Sequence, residues 1–446
     1  MRVRYGRRVW VLLFLMLVVR WVDAGVVDLR ADQAAYELGR QVEWLRDPEY
    51  VLTAEDLAAD ASARWQQSSQ VVPNLGYGND AVWFRVGLHN VNVDTHWYLH
   101  INYPLIRDLD LFVVRDGVMS EVFQTGDRYE FSARPLDHRD FVFPLSISKG
   151  SGITLLVRLS GPYSLQMPLI LMSEQAMLQY EAKASLLHGL FFGFVLVMSL
   201  YNFFVYWVTR ERSYLFYVMF SLSIGVFQAV QQGFAYQFLW PAEIWWQNKA
   251  TVIFLHLSIL SSVLFASNFL DLKEHRPRFY RAALVLIALS LICLVITPFV
   301  GELPILWFGV VLALPACLLG SIGGWMAWRD GREDGRVFSI AWAIFLLGVL
   351  ALSLNKLGLV SRNFATEHGA EIGTVIELAL LAFALGGRIN RERGERLKLE
   401  LRARELERAA LVAKEHALEL ERMGKEQLER SVGERTDDLH RALTEL

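Results

Sequence analysis

The hydrophobic pattern changes character three times along the chain. Arg2, Arg4, Arg7 and Arg8 precede the apolar run Val9 to Val19, and Val22-Asp23-Ala24 supplies residues suited to cleavage after Ala24. A basic start, a short apolar run and a small-residue exit predict a secretory signal peptide over 1–24. The 11-residue run is shorter than the roughly 20 residues a membrane helix needs. An uncleaved anchor is the alternative, since Arg20 and Trp21 are untidy for a cleavage region. Either way, residue 25 onward is delivered outside the cytoplasm.

From 25 to 180 the period is two. Alternation recurs in Val82-Trp83-Phe84-Arg85-Val86, Trp97 to Ile101, Leu109 to Val114, Phe141-Val142-Phe143, Thr154 to Leu159 and Leu165 to Leu171. Asp116-Gly117, Gly126-Asp127 and Lys149-Gly150-Ser151-Gly152 separate these stretches as turns. Short strands at this spacing predict a β-sandwich or jelly roll. Before Asn79 the alternation is weaker, and Thr53-Ala54-Glu55-Asp56-Leu57 reads as a capped helical turn. The segment has no cysteine, so its core alone must hold it, and its length suffices for that.

From 186 the apolar runs lengthen. Seven spans are expected near 186–208, 213–235, 250–270, 282–300, 304–328, 337–357 and 369–388. With the β domain outside, the inside segments 209–213, 271–281, 329–336 and 388–398 hold 14 Lys and Arg, and the outside loops hold 3. This asymmetry predicts an N-outside, C-inside protein of a bacterial inner membrane, with 186–388 as a seven-helix bundle in the lipid bilayer.

The tail, 389–446, changes pattern again. Leu399, Ala403, Leu406, Ala410, Ala413, Ala417 and Leu420 repeat at alternating spacings of 4 and 3. This is a heptad seam, and it predicts a coiled-coil homodimer through 399–446. Gly424 shifts the register, which Leu428 and Val432 resume one residue late. A single charged helix in solvent is the plainer alternative.

Composition sharpens this division. The chain is 54% hydrophobic and 20% charged, and residues 390–446 hold 27 charged residues and no Phe, Tyr or Trp. Charge is therefore segregated from the apolar spans, which excludes an average soluble enzyme and a disordered chain. A net charge of −3 offers no global basic field, and no nucleic-acid partner is expected. Cys293 and Cys317 lie in apolar runs, which excludes a disulfide scaffold and a cysteine zinc site. No metal site and no cofactor is expected; a retinal-type chromophore needs a mid-span lysine, and Lys356 is near a span end.

Chemistry-bearing residues are few. No Gly-rich phosphate loop follows a strand. His416 in Lys-Glu-His-Ala-Leu and His440 in Leu-His-Arg-Ala-Leu lack a phospho-acceptor context, so no catalytic residue is assigned. Ionisable groups inside a membrane are costly, and His256, Glu371 and Glu377 fall in spans as candidates for a polar switch. Helix packing alone is the plainer role for them. In the β domain, Trp97, Tyr103 and Tyr163 could stack on a sugar, with Arg134, His138 and Arg139 as polar partners. The alternative for each is core or loop packing.

Several stretches together resemble the bacterial seven-transmembrane receptors with diverse intracellular signalling modules, with the second type of extracellular sensing domain. In the β domain these are Val82-Trp83-Phe84-Arg85-Val86, Ile101-Asn102-Tyr103-Pro104, Gly126-Asp127, Arg134 to Pro144 and Met167-Pro168-Leu169. In the bundle they are Tyr201-Asn202-Phe203-Phe204, Arg210 to Leu215, Gly233 to Pro241, Asn355-Lys356-Leu357-Gly358 and Glu377 to Leu385. The resemblance implies a jelly roll similar to carbohydrate-binding modules, a seven-helix bundle and a cytoplasmic output, often a histidine kinase or diguanylate cyclase. Only 58 residues follow the last span, so the expectation is a receptor without its own catalytic domain. It would sense a small molecule or glycan in the periplasm and act through a separate cytoplasmic partner. Two alternatives stay open: a truncated sensor kinase or cyclase, and a transporter subunit whose β domain captures substrate.

Overall fold

The computed structural model describes residues 26–444, apart from 60–63, 79, 162–163, 358 and 362. The expected signal peptide and Tyr163 lie outside the described residues.

The strands are β1 (Val26–Leu29), β2 (Ala35–Glu37), β3 (Glu43–Asp47), β4 (Gln66–Gln67), β5 (Asn74–Tyr77), β6 (Ala81–Asn90), β7 (His96–Ile101), β8 (Asp108–Arg115), β9 (Val118–Thr125), β10 (Phe141–Ser146), β11 (Gly152–Ser160), β12 (Ser164–Gln166) and β13 (Leu169–Ser173). A seven-stranded sheet runs β4-β3-β6-β11-β8-β9, with β1 parallel to β6, and a four-stranded sheet runs β10-β7-β13-β2. Alternation sends one face of each sheet inward. Phe84, Leu111 and Val157 of the larger sheet share a core with Leu99, Phe143 and Leu171 of the smaller, all 1% exposed or less. Burying a side chain of this size contributes about 1.5–3 kcal/mol. The domain is thus a two-sheet sandwich, as the alternation predicts.

Two details differ from the expectation. The stretch expected as one strand from Leu165 to Leu171 is divided into β12 and β13 at Met167-Pro168, because proline donates no ladder hydrogen bond. The region before Asn79 contributes five strands despite its weak alternation, since edge and half-buried strands need only one apolar side. The helical turn is α1 (Ala54–Ala59). Thr53 Oγ1 donates to Asp56 Oδ2 at 2.7 Å and accepts from the Asp56 N–H at 3.2 Å, a reciprocal cap.

The remaining helices are α2 (Glu174–Thr209), α3 (Arg212–Gln231), α4 (Phe234–Phe238), α5 (Ile244–Phe269), α6 (Leu272–His275), α7 (Pro277–Ile296), α8 (Glu302–Arg329), α9 (Glu333–Lys356) and α10 (Phe364–Thr444). Seven stretches among the described residues are long and apolar enough to cross a membrane: α2, α3, α5, α7, α8, Glu333–Asn355 of α9 and Phe364–Arg388 of α10. Helix α2 begins 12 residues before the expected span start at 186. Ser173 caps it by accepting from the Ala176 N–H at 3.4 Å, and its polar first turns pack on the β domain. Helix α5 sits centrally, against α3, α7 and α8. Stacked rings line the bundle interior, with Phe338 on Trp342 at 5.1 Å and Phe265 on Phe269 at 5.4 Å.

Residues 383–446 form a second compact unit. It is helical to Thr444, and Leu399, Leu406 and Leu420 are 62%, 72% and 65% exposed.

Candidate functional site

The β domain and one end of the bundle meet through side chains from both. Gly233, between α3 and α4, has φ +79, and a Cβ there would lie 2.5 Å from the Arg139 carbonyl oxygen. Only glycine allows both that backbone conformation and that approach. With Gly233 seated, α4 reaches the β-domain loops. Tyr236 donates its hydroxyl to the Tyr129 carbonyl, Gln237 donates to Asp137 Oδ1 at 3.0 Å, and the Phe131 N–H donates to the Pro241 carbonyl at 3.0 Å. Asn74 donates to the Asn355 carbonyl at 2.8 Å, and Arg107 to Asn248 Oδ1 at 2.8 Å. Residues from stretches on which the family resemblance rests, Asp137, Arg139, Gly233, Gln237, Pro241 and Asn355, therefore take part in one interface.

A polar cluster sits under the smaller sheet. Trp97, Leu99 and Ile101 of β7 point into the core, and His100 points the other way, toward α2. His100 Nε2 is 3.0 Å from Asp140 Oδ2, and both residues are fully buried. Arg139 Nη1 lies 3.5 Å from Asp140 Oδ2, and its Nη2 lies 3.9 Å from Glu181 Oε1 of α2. His138 Nε2 is 3.0 Å from Glu181 Oε2. Burial pushes the Asp140 carboxyl up, but the His100 hydrogen bond and the Arg139 charge outweigh it and hold it at about 2. A second buried carboxyl, Asp127, lies on the other side of the junction. Burial pushes it up to about 7 against the pull of Arg107 and Arg134.

Between these contacts lies a small cleft, partly open to solvent. The β domain lines it with Asn102, Tyr103 and Pro104, and the bundle with Gln228, Gln231, Gln232 and Asn355 among others. The Gln231 side-chain oxygen has no hydrogen bond among the described residues. Its amides offer both donors and acceptors, and Glu367 adds a carboxylate to the lining.

The residues proposed from sequence divide. Trp97 is 1% exposed, donates to the Asp94 carbonyl at 3.2 Å and packs edge-on against Tyr36. It presents no free ring face for a sugar, because β7 turns it into the sandwich core. Tyr103 is 5% exposed and lines the cleft. Arg134 is buried between Phe131 and Phe141 and donates to the carbonyls of His138 and Arg139. Burial lowers its guanidinium to about 10. It therefore pins the loop that carries His138 and Arg139, which both belong to the buried cluster and not to an exposed sugar face.

Within the bundle, Glu371 accepts from Gln232 at 2.7 Å and pairs with His368 at 3.1 Å and His188 at 3.9 Å, tying α2, α3 and α10 together beside the cleft. His256 is fully buried, with Nδ1 2.9 Å from the Val252 carbonyl, and Gly309 of α8 makes room for its ring. Glu377 is fully buried, and neither carboxylate oxygen has a hydrogen bond. These three sites are separate, and only Glu371 adjoins the junction. Pattern reading missed His100, Asp140 and Glu181 as members of one cluster, and it did not place the glutamines at 228, 231 and 232 beside the β domain. The available signal was His100 itself, a polar residue at an outward position of an apolar strand.

Two family models match the chain in order. The model described as 7TMR-DISM extracellular 2 covers residues 39–173, and that described as 7TM diverse intracellular signalling covers residues 184–388. Among curated proteins, none matches. Neither matched domain is a catalytic one. The sandwich, the seven spans that follow it and the paired matches place the chain in the family of seven-transmembrane signalling receptors with diverse intracellular signalling modules, carrying that family's second type of extracellular domain.

Proposed function

We propose that the chain is an inner-membrane receptor that senses a small polyhydroxylated molecule, such as a sugar, outside the cytoplasm. The observation that supports it best is the cleft shared by the β domain and the bundle. A ligand there touches Asn102 and Tyr103 on one side and Gln231, Gln232 and Asn355 on the other, so it can favour one packing of the two parts over another. A ligand shifts such an equilibrium only through differential affinity, and a cleft between moving parts supplies that difference.

Lys and Arg segregation orients the receptor, with the β domain in the periplasm and 389–446 in the cytoplasm. The output runs through α10 into a parallel homodimer whose seam is Leu399, Leu406 and Leu420, and a separate cytoplasmic protein reads that coil. The test is thermal unfolding of the full chain in lipid nanodiscs with a panel of neutral mono- and disaccharides. At least one sugar should raise the melting temperature of the wild type, and Gln231→Leu should abolish the rise. No shift with any sugar would sink the reading.

A further inference from the structure

The cluster beneath the smaller sheet has more ligating atoms than its internal contacts use. His100, His138, Asp140 and Glu181 each offer one ligand atom, and the four atoms lie within 4.8 Å of one another. Among the described residues, His100 Nδ1, Asp140 Oδ1 and Glu181 Oε1 are buried without a hydrogen bond, while His138 Nε2 is 3.0 Å from Glu181 Oε2. Buried polar atoms are almost always satisfied, and the free oxygens of Asp140 and Glu181 leave both carboxylates with ligating capacity. Two imidazoles and two carboxylates form a nitrogen and oxygen donor set suited to Zn²⁺.

We propose that these four residues bind a divalent transition metal, zinc by its donor set, which clamps the β domain to the first membrane helix. Three ligands belong to the β domain and Glu181 belongs to α2. A tetrahedral zinc with bonds of about 2.0–2.1 Å needs ligand atoms about 3.3 Å apart. The His100–Asp140 and His138–Glu181 pairs, at 3.0 Å each, need to open by tenths of an ångström, while the two pairs close on each other. His100 and Asp140 are fully buried and fixed, whereas the side chains of His138 and Glu181 are 15% and 22% exposed and supply the movement.

Two neighbours accommodate the ion. His138 Nδ1 now accepts the Asp140 N–H at 3.0 Å, with the Asp140 carbonyl oxygen at 3.4 Å. When Nε2 takes the metal, Nδ1 carries the ring proton, and the ring turns from the Asp140 N–H toward that carbonyl, which then accepts it as outer-shell support. Arg139 lies near both carboxylates and over the Phe234 ring, 5.1 Å from its centroid. The metal replaces its charge between Asp140 and Glu181, and the guanidinium keeps its place on the ring. Sequence spacing hides the set, since the ligands stand at 100, 138, 140 and 181 and meet only across β7, the loop before β10 and α2.

The test is a Co²⁺ titration of the full chain, purified without a histidine tag and stripped with chelator, in detergent. One Co²⁺ per chain with four-coordinate ligand-field bands, displaced by Zn²⁺ and not by Mg²⁺, is the expected result. Glu181→Gln and His138→Gln should each weaken binding by about tenfold or more. X-ray absorption at the zinc edge of the loaded wild type should count two imidazoles, and this readout stands even where a variant fails to fold. No saturable uptake by the wild type, a zinc spectrum without imidazoles, or unchanged affinity in a folded Glu181→Gln, His138→Gln double variant would each overturn the assignment.

Discussion

Replacing Asp127 by Asn should make the receptor more stable at neutral and alkaline pH and leave it nearly unchanged in acid. Asp127 is 3% exposed, its Oδ1 has no hydrogen bond, and burial raises its carboxyl to about 7. The neighbouring arginines do not rescue it because they are engaged elsewhere. Arg107 bonds Asn248 and lies 4.0 Å from Glu302, and Arg134 donates to two backbone carbonyls. The carboxyl titrates near 3.9 when unfolded, so folding favours its protonated form. Its favourable contribution is complete below about pH 4, declines as pH rises, and is lost above about pH 7. The difference of about three pH units corresponds to roughly 4 kcal/mol, as an upper bound. Relaxation of the site should leave on the order of half of that, and 1 kcal/mol shifts Tm by about 2–4 °C in a domain of this size. The assay is intrinsic-fluorescence unfolding of wild type and Asp127→Asn in detergent between pH 4 and pH 8.5. Asn should raise Tm by roughly 4–8 °C at the alkaline end, with the gap closing toward pH 4. A gap that does not change with pH, or an Asn variant less stable at pH 8, would refute the reasoning.

Other consequences follow from the same contacts. Gly233→Ala places a Cβ against the Arg139 carbonyl in a left-handed conformation; it should cost about 2–4 kcal/mol and expose the loop at 134–139 to limited proteolysis. Below about pH 4 the wild type should begin to lose the stability that the Asp140 carboxylate contributes, because that group's folded value is about 2; acid unfolding of Asp140→Asn should lack that transition. A cysteine at Ala410 should cross-link two copies in native membranes, and Leu406→Lys with Leu420→Lys should reduce the cross-linking severalfold if the seam is a dimer. Reporter fusions after residues 180 and 446 should be active as periplasmic and cytoplasmic enzymes, respectively, and the reverse would overturn the orientation.

Much of the architecture is legible without coordinates. Alternation in Val82 to Val86 and Thr154 to Leu159 identifies two central strands, because a sandwich core selects every second side chain. The seven spans are legible for a simpler reason, namely that twenty apolar residues in succession have few other uses. The start of α2 is not, because its first turns face protein and read as polar. Trp97 shows the limit for site residues: an aromatic in an alternating strand faces the core or the surface according to phase, and its neighbours Leu99 and Ile101 already favour the core.

The chain's hydrophobic periods alone determine that it has a sandwich, seven spans and a charged heptad tail, because each period reports the local surroundings of successive residues. They also carry the family resemblance, since its motifs are contiguous stretches. Only the tertiary structure decides that Arg139, Gly233, Gln237 and Asn355 lie at one interface, and that His100, His138, Asp140 and Glu181 share one cluster. Those meetings depend on which strands pair and on where α4 docks. The contacts that set them lie tens to hundreds of residues apart, beyond the reach of any local pattern.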